Sequence, residues 1–324
     1  MAQVKVLVTG GAGFVGSAFV RHLLATTDDT VTSFDALTYA GAAQNLAEVD
    51  PHRHQLVVGD VADRLAVRAA IEGHDAVVHL AAESHVDRSL LAPDVFVRTN
   101  CTGTNVVCDE ARRAGVGRFL HASTDEVYGP VREGSVTEAA PLRPSSPYSG
   151  SKAGSDLIAL SHHASHGLPV VVTRSSNQYG PRQFPEKLIP HFVARLLSGE
   201  DVPLYGDGLH VRDWMHVDDG CAALARVLCD GEPGEVYNVS AHEARPNRVL
   251  AEAIVDLLGV DRTRIVAVPD RPGHDRRYSV GADRVVALGW APQRGFEEGL
   301  EATVRWYVDN RAWWEPRLAH VRNR

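Results

Sequence analysis

The chain has 324 residues, 44% of them hydrophobic and 23% charged, which is ordinary for a globular protein with one large core and a smaller lobe. Its net charge of −8, with no block of basic residues, argues against nucleic acid as a partner. No apolar run is long enough to span a membrane and no signal-peptide pattern precedes the first predicted strand, so we expect a cytoplasmic protein that binds no membrane.

The first half of the chain alternates short β-branched runs with amphipathic stretches. The predicted strands are residues 4–8, 31–34, 55–58, 76–80, 118–122 and 170–173. The predicted helices are residues 14–25, 64–71, 94–114 and 148–166. Strands that are apolar throughout and alternate with helices predict an α/β fold with a doubly wound parallel sheet.

The character of the sequence changes beyond residue 174. Prolines and glycines are frequent at 177–190 and 202–208, and the predicted helices are 187–197, 217–229, 246–258 and 296–309. We therefore expect residues 1–174 to form mainly the sheet domain and residues 175–324 mainly a smaller, C-terminal lobe over the carboxyl ends of the strands. The boundary is soft, because residues 212–217 could return to the sheet.

A glycine-rich loop lies between the first predicted strand and the first helix. Gly10, Gly13 and Gly16 allow a tight turn, close approach of the backbone to a pyrophosphate and close packing of helix on strand, as in a Rossmann nucleotide site. Asp35 ends the second strand at the spacing of a carboxylate that binds the adenosine ribose. It would repel a 2′-phosphate and no arginine follows closely, so NAD is favoured over NADP. The alternative is a surface acid at the end of a strand.

Tyr148 and Lys152 are four residues apart, so on a helix their side chains share one face. A tyrosine with a pKa near 10 is a poor base at neutral pH, but a neighbouring ammonium and a positive nicotinamide ring would both favour phenolate. Spacing of this kind also arises by chance. Its place after the fifth strand of a nucleotide-binding sheet favours the catalytic interpretation.

Thr124, Asp125 and Glu126 follow the fifth strand, at the edge where doubly wound sheets bind ligand. Hydride transfer alone needs one base, whereas two adjacent carboxyls suggest separate acid and base roles. Elimination across C5–C6 of a hexose needs a base for the C5 proton and an acid for the departing hydroxyl. The pattern therefore favours a redox-neutral dehydration, although two acids at a strand end can also be a solvated cap.

The four cysteines, Cys101, Cys108, Cys221 and Cys229, have neither CxxC spacing nor histidines at ligand spacing. We expect buried thiols in a reducing compartment, with no disulfide and no metal site.

Longer motifs extend this pattern over nearly the whole chain. They are residues 9–16, Ala-Ala-Glu-Ser-His-Val-Asp-Arg-Ser at 81–89, Ser-Thr-Asp-Glu-Val-Tyr-Gly at 123–129 and residues 148–152, followed by residues 179–190, 203–208, 211–219 and 270–278. With these motifs the chain resembles the dTDP-glucose 4,6-dehydratases of the extended short-chain dehydrogenase/reductase superfamily. The Thr-Asp-Glu triplet is the most specific of them.

The resemblance implies a cycle on a tightly bound NAD that is regenerated in each turnover. Tyr148 would take the C4 hydroxyl proton as hydride leaves C4, with Lys152 beside it. Glu126 would remove the C5 proton, and Asp125 would protonate the departing C6 hydroxyl. Hydride would then return to C6 and a proton to C5, giving a 4-keto-6-deoxy sugar. Thr124 would hydrogen-bond the C4 oxygen.

The resemblance also assigns binding residues. The NAD site would comprise Gly10, Gly13, Phe14, Val15, Gly16, Asp35, Ala36, Leu37, Thr38, Asp60, Val61, Leu80, Ala81, Ala82, Ser84, Thr99, Tyr148, Lys152 and Gln178. The sugar-nucleotide site, mainly in the C-terminal lobe, would comprise Ser84, Thr124, Asn177, Lys187, Leu188, Pro203, Leu204, Tyr205, Arg212, Asn247, Asp270, Arg271, His274 and Tyr278.

Two departures from the family pattern lie near the expected chemistry. Gln178 replaces an asparagine near the nicotinamide, and Gly150 replaces an alanine in the catalytic helix, where glycine costs about 1 kcal/mol. We expect the amide contact of Gln178 to survive in altered geometry. Neither change removes a proposed catalytic group.

Three alternatives stay open at this level. A sugar-nucleotide 4-epimerase or decarboxylase would use Tyr148 and NAD but leave Asp125 and Glu126 without a clear role. A protein that merely binds dinucleotide could dispense with the Tyr–Lys pair. Thymine and uracil differ by a methyl worth about 1–3 kcal/mol, so the preference for dTDP, like the pathway served, is not set by these residues.

Relatives on this fold are commonly homodimers. The predicted helices 94–114 and 148–166 could pair across a twofold axis into a four-helix bundle, although an apolar stripe also serves the monomer core.

Overall fold

The computed structural model describes residues 3–270 and 273–322, and it confirms the predicted α/β class. The strands are β1 (Lys5–Thr9), β2 (Thr30–Asp35), β3 (His54–Val58), β4 (Ala76–His79), β5 (Arg118–Thr124), β6 (Val170–Ser175), β7 (Asn177–Tyr179), β8 (Val202–Tyr205), β9 (Val211–His216), β10 (Val236–Val239), β11 (Ala244–Pro246) and β12 (Ile265–Val268). The helices are α1 (Phe14–Thr26), α2 (Arg64–Ile71), α3 (Val86–Leu91), α4 (Pro93–Phe96), α5 (Thr104–Arg113), α6 (Pro147–His166), α7 (Leu188–Leu197), α8 (Val217–Asp230), α9 (Asn247–Leu257), α10 (Asp283–Ala287), α11 (Phe296–Asp309) and α12 (Arg311–Arg322).

A seven-stranded sheet in the order β10-β6-β5-β4-β1-β2-β3 organises the molecule. Each neighbouring pair is parallel. From β1 the chain builds outward to β3 on one side and then restarts with β4 on the other. The crevice beyond the carboxyl ends of β1 and β4 is therefore the place where such sheets bind ligands.

Helices cover both faces of this sheet. On one face α1 and α8 bury Phe19 and Leu224 against Val8. On the other face α2, α5 and α6 form a second core in which Val107 packs in the same cluster as Leu7. Burying one such side chain contributes about 1.5–3 kcal/mol, so the two cores together fix the sheet between its helical layers.

The C-terminal lobe has a core of its own. Tyr179, Ile189, Trp214, Ile254 and Trp314 are buried there, on elements from β7 to α12. A three-stranded sheet, β11-β9-β7, and a two-stranded sheet, β12-β8, frame this core. None of the helices in the described ranges has the length and apolar character needed to cross a bilayer.

The structure interrupts the helix predicted at residues 94–114. Residues Val97–Gly103 form a π-helical turn between α4 and α5. The hydroxyl of Thr104 donates to the carbonyl oxygen of Asn100 at 2.6 Å, and such a side-chain bond competes with the regular backbone ladder. Widened turns of this kind are frequent at functional sites.

The chain also moves between the two lobes in a way that the sequence did not reveal. The segment near residues 212–217 is strand β9, but it joins the small three-stranded sheet. The large sheet instead gains β10, which follows α8 and pairs with β6. Four residues, Val-Tyr-Asn-Val, are too short for a clear period, so we did not predict this strand. A boundary at residue 174 stays a prediction.

Candidate active site

The glycine loop brings three backbone segments into close contact. Gly10 has a φ of 71°, in the region that favours glycine. A Cβ on Gly10 would lie 2.7 Å from the backbone nitrogen of Ala81, and one on Gly16 would lie 2.0 Å from the oxygen of Gly10. The bare backbone at the start of α1 therefore fits the pyrophosphate of a dinucleotide.

Asp35 lies at the end of β2, where the loop holds its carboxylate in place. Oδ2 accepts from the backbone N–H of Ala12 at 2.9 Å, and Oδ1 accepts from that of Leu37 at 2.8 Å. Burial raises the pKa of Asp35, and the backbone hydrogen bonds from Leu37, Ala12 and Gly13 oppose this rise. Each oxygen keeps lone pairs for ribose hydroxyls.

A cavity of about 340 Å³ opens at these loops. It is lined by the predicted residues Gly10, Gly13, Phe14, Val15, Gly16, Asp35, Ala36, Thr38, Asp60, Val61, Leu80, Ala81, Ala82, Ser84 and Thr99. Leu37 and Gln178 line a neighbouring, larger cavity instead. Tyr148 and Lys152 are buried and line neither.

Two residues that sequence reasoning missed support the cofactor cavity. Arg98 lines it and pairs with Asp60 at 2.7 Å. Asn100, in the π-helical turn, accepts from the N–H of Glu83 at 2.9 Å and donates to its carbonyl oxygen at 3.0 Å. It also donates to the hydroxyl of Ser151 at 2.8 Å, so it fixes the loop after β4 to α6. An asparagine inside a helical pattern was the available signal.

Tyr148 lies in the first turn of α6, which a capping box at Ser146 begins. The Tyr148 side chain is 8% exposed and hydrogen-bonds to Thr124. Burial raises the pKa of Tyr148, the charge of Glu126 adds to the rise, and the hydrogen bond to Thr124 lowers it. The net direction is opposite to the one expected from a neighbouring ammonium, because burial outweighs the opposing contributions.

Lys152 follows Tyr148 by one turn of α6 and is 5% exposed. Its Nζ donates to the carbonyl oxygen of Ala122, in β5, at 2.7 Å. Burial lowers the pKa of Lys152 to about 8, and the charge of Asp156 opposes this change. The ammonium is thus tied to the strand that leads into the Thr-Asp-Glu turn.

Thr124, Asp125 and Glu126 form one hydrogen-bonded turn at the end of β5. The hydroxyl of Thr124 accepts from the N–H of Glu126 at 3.2 Å and donates to Oδ1 of Asp125 at 3.3 Å. Asp125 is 2% exposed, and burial, followed by the charges of Glu126 and Asp213, raises its pKa well above the usual range. Glu126 lines the larger cavity. The two carboxyls therefore differ in environment, as separate acid and base roles require.

The larger cavity has a volume of about 1150 Å³ and adjoins the first. Of the residues predicted for the sugar nucleotide, it is lined by Ser84, Asn177, Lys187, Leu188, Pro203, Leu204, Tyr205, Arg212, Asn247, His274 and Tyr278. Thr124, which is buried, and Asp270, which pairs with His274, do not line it. Arg271 is outside the described residues.

Two cations that line the larger cavity are held by backbone carbonyls. Lys187 donates to the carbonyl oxygen of Ser84. Arg212 donates to the carbonyl oxygen of Asp275 at 2.9 Å, and its guanidinium lies 4.5 Å from the ring centroid of Tyr278. A fixed lysine and a fixed arginine suit a diphosphate.

His274 belongs to a compact group at the rim of the larger cavity. Its Nδ1 lies 2.7 Å from Asp270 Oδ1, and its ring stacks on that of His210 with centroids 3.7 Å apart. His210 Nε2 lies 3.2 Å from the same carboxylate, so all three ligand-type atoms lie within 4.8 Å. We had not expected such a group; its pairings explain its geometry without an ion.

A second group that sequence reasoning missed lines the larger cavity. Arg88 pairs with Glu186 at 2.6 Å, and its guanidinium lies 3.6 Å from the ring centroid of Tyr39. The hydroxyl of Tyr39 donates to Glu83 at 3.1 Å. The motif at 81–89 contained Arg88 but gave no hint of its partners, which come from distant segments.

Gln178, which departs from the family pattern, is accommodated by a glycine in α8. A Cβ on Gly220 would lie 2.5 Å from Oε1 of Gln178, so the longer side chain occupies the space above this glycine in α8. Gln178 also accepts at its backbone oxygen from Gln183 at 2.9 Å. Oε1 of Gln178 has no hydrogen-bond partner among the described residues.

Comparisons with known proteins agree with this geometry. Residues 7–303 match the sequence model of the family described as GDP-mannose 4,6 dehydratase. A dTDP-glucose 4,6-dehydratase from Streptomyces griseus is 54% identical over 315 residues, 96% of each chain. The crystal structure of a dTDP-glucose 4,6-dehydratase from Streptomyces venezuelae, with NAD bound, has a TM-score of 0.94 at 50% identity and covers 97% of this chain and 99% of its own. A UDP-glucose 4-epimerase from Thermotoga maritima has a TM-score of 0.88 at 30% identity, covering 94% of this chain and 99% of its own.

Proposed function

The chain belongs to the GDP-mannose 4,6 dehydratase family, with dTDP-glucose 4,6-dehydratases among its relatives, and we propose that it converts dTDP-D-glucose to dTDP-4-keto-6-deoxy-D-glucose with NAD. The observation that carries this proposal is the Thr124–Glu126 turn. It presents a buried carboxyl with a strongly raised pKa directly beside a carboxyl that lines the substrate cavity. Alcohol oxidation alone would need neither.

The glycine loop and Asp35 would hold NAD. The cofactor would accept hydride from C4 and later return it to C6. Tyr148 removes the C4 hydroxyl proton, and the hydroxyl of Thr124, which hydrogen-bonds to Tyr148, orients the phenol toward that oxygen. Lys152 stands one turn behind as the cation that favours the phenolate during proton removal. Burial alone raises the pKa of the phenol, and the positive charges of Lys152 and of a bound nicotinamide ring would offset this rise, so that the phenolate is available as the base.

Glu126 removes the C5 proton once C4 is a ketone, because it is the triplet carboxyl that reaches the substrate cavity. Asp125 holds its own proton in the buried site and delivers it to the departing C6 hydroxyl. Elimination needs Glu126 unprotonated and Asp125 protonated, and Glu126 returns its proton to C5 when hydride reaches C6. The different burial of these two adjacent side chains supports that division.

Substrate binding is assigned to side chains of the C-terminal lobe. Lys187 and Arg212 pair with the diphosphate, and Tyr205 and His274, whose rings meet edge to face at 6.0 Å, lie against the nucleotide portion. The sugar then lies between these cations and Glu126. We include a preference for thymine over uracil in the proposal because the relatives are dTDP-glucose 4,6-dehydratases.

Turnover without added cofactor is the direct test. Purified protein is incubated with dTDP-glucose alone, and the product is assayed by its 4-keto chromophore in alkali and by NMR of the C6 methyl group. We expect the 4-keto-6-deoxy sugar. A product that keeps its C6 hydroxymethyl group would favour a 4-epimerase, the activity named for a structural relative. Turnover of UDP-glucose but not dTDP-glucose would retain the mechanism and replace the substrate.

We also propose that two copies associate through the face of α6 and the adjoining π-helical segment. Leu157 is 59% exposed on α6, and Val97 is 53% exposed at the start of the π-helical segment. A second copy of the chain would cover this apolar strip as a four-helix bundle. The charged variant Leu157→Lys is expected to give a monomer by light scattering. Leu65→Lys, at an exposed leucine of α2, is the matched control.

A cytoplasmic location is likewise proposed. The four cysteines form no disulfide, which suits a reducing compartment. Cys108 and Cys221 are buried as expected, but Cys229 is exposed, so the expectation of buried thiols was wrong for Cys229. Fractionation of cells and detection of the protein in the cytosolic fraction would test it.

A further inference from the structure

A buried ionic cluster lies directly behind the Tyr–Lys pair, and none of its members has a role in the steps above. Asp156, one turn beyond Lys152 on α6, has an exposed fraction of 0%. Nε of Arg174, in β6, donates to Asp156 Oδ2 at 2.8 Å. Nε2 of His121, in β5, lies 3.3 Å from Asp156 Oδ1 and 3.0 Å from the hydroxyl of Ser155.

The cluster continues into the catalytic turn. Nη1 of Arg174 donates to the hydroxyl of Tyr128 at 2.8 Å. That hydroxyl donates in turn to Oδ1 of Asn238, in β10, at 2.8 Å. Tyr128 ends the 3₁₀ turn that begins at Asp125. One chain of contacts therefore joins the catalytic helix, the catalytic turn and three strands of the large sheet.

Several titratable groups face Lys152 from the elements around it. Its own helix supplies Asp156, the π-helical turn supplies Cys101, and β4 and β5 supply His79 and His121. Arg174 of β6 lies behind Asp156. Burial lowers the pKa of both histidines, which leaves their rings neutral.

Asp156 keeps its negative charge although it is buried. Burial raises its pKa, but the hydrogen bond from His121 and the charges of Arg174 and Lys152 outweigh burial and lower it overall. The negative charge of Asp156 in turn raises the pKa of Lys152. Burial has the larger effect and lowers that pKa to about 8. The carboxylate of Asp156 therefore offsets the charges of two buried cations, Lys152 and Arg174.

We propose that Asp156 is a positioning residue for the reaction: it is buried one turn along α6 from Lys152 and held by Arg174, and its charge keeps Lys152 in the ammonium form at the working pH. The kinetic part of this inference rests on the proposed dehydratase function. Lys152 can support the phenolate only while charged, so Asp156 sets the alkaline limit of the first step.

The test is the pH profile of C4 oxidation, followed as transient NADH absorbance in single turnovers of the enzyme with its bound NAD. This step precedes the proton transfer assigned to Asp125. In Asp156→Asn we expect the alkaline limb to move to lower pH by about one unit, in line with the effect of removing a nearby opposite charge. Asp156→Glu is expected to restore the limb, and Ser155→Ala, which keeps the charge, is expected to leave it in place.

A uniform loss of rate at every pH, with an unmoved limb, would mean a merely structural role and would overturn the proposal. Because Asp156→Asn leaves Arg174 without its partner, the charge-balanced double variant Asp156→Asn/Arg174→Met gives a second route. It is expected to show a shift in the same direction but smaller. A wild-type enzyme that forms no NADH with dTDP-glucose would instead overturn the proposed function.

Discussion

The cofactor cavity and the substrate cavity are built in different ways. The first is lined by short consecutive runs at the ends of β1, β2 and β4, where Gly10, Gly16 and Ala81 bring backbone against backbone. The second is lined by large side chains from segments that extend from residue 37 to residue 321. Close backbone approach dictates residue type and spacing, whereas a wide cavity lined by side chains can be formed in many ways. The first region therefore leaves a motif in the sequence, and the second leaves scattered residues.

Among the variants that test the difference between the two cavities, Gly16→Ala is expected to have the largest effect. Its Cβ would lie 2.0 Å from the oxygen of Gly10, and the backbone has no room to yield without opening the loop. We expect loss of bound NAD together with a marked fall in Tm, measured by the absorbance of released cofactor and by thermal melting. Wild-type NAD content in this variant would contradict the close packing of the loop.

Glu126→Gln should break the chemistry of the second cavity and leave the first intact. General-base removal typically costs about 10²–10⁴-fold, so kcat should fall by that factor while NAD stays bound and C4 oxidation persists. Asp125→Asn is the paired variant. In deuterated solvent it should still exchange the C5 proton, whereas Glu126→Gln should not. Exchange in both variants, or in neither, would overturn the division of roles.

The buried acid also predicts a pH dependence of stability. The pKa of Asp125 is raised in the folded state above its unfolded value near 3.9, so the folded state binds more protons. The stabilising contribution of this carboxyl is complete below the unfolded pKa and is lost as pH rises through the folded pKa. Asp125→Asn should therefore gain Tm relative to wild type from about pH 4 upward. A difference in Tm that does not change with pH would contradict the raised pKa.

The smallest effect is expected from Gly150→Ala. Gly150 replaces the alanine of the family pattern, although the packing around it does not require a glycine. A Cβ there would meet no atom within 4 Å, so alanine should stabilise α6 by up to about 1 kcal/mol in urea denaturation. Gly73→Ala is the control, since Gly73 also has open space but has a φ of 75°. Alanine at Gly73 should destabilise by about 1–2 kcal/mol. Equal effects at both positions would contradict this account.

Much of the first half of the chain was predictable because each strand there is a continuous apolar run next to an amphipathic helix. The helix at Arg64–Ile71 was predicted with its observed bounds, and the six strands predicted in this half all form. The residues expected at the glycine loop and after β4 line the cofactor cavity as the motif implies. Here local sequence and tertiary packing impose the same requirement.

The rest depended on contacts between distant segments. β10 is recognised only by its pairing with β6, and Arg88 acquires its role from Tyr39 and Glu186, which lie far from it in the chain. The burial that raises the pKa of Tyr148 cannot be read from a four-residue spacing. The roles of Thr124, Asp125 and Glu126 stay proposals that the variants above test.

The return of the chain to β10 limits how this enzyme can be recombined with its relatives. A chimera joined once at residue 174 would take β6 from one parent and both α8 and β10 from the other. Two adjacent strands of the main sheet would then come from different parents. An exchange of substrate specificity needs two cassettes instead, one before α8 and one after β10. Directed evolution of new sugar-nucleotide preferences should therefore shuffle these two inserts and leave the strand between them with its native sheet.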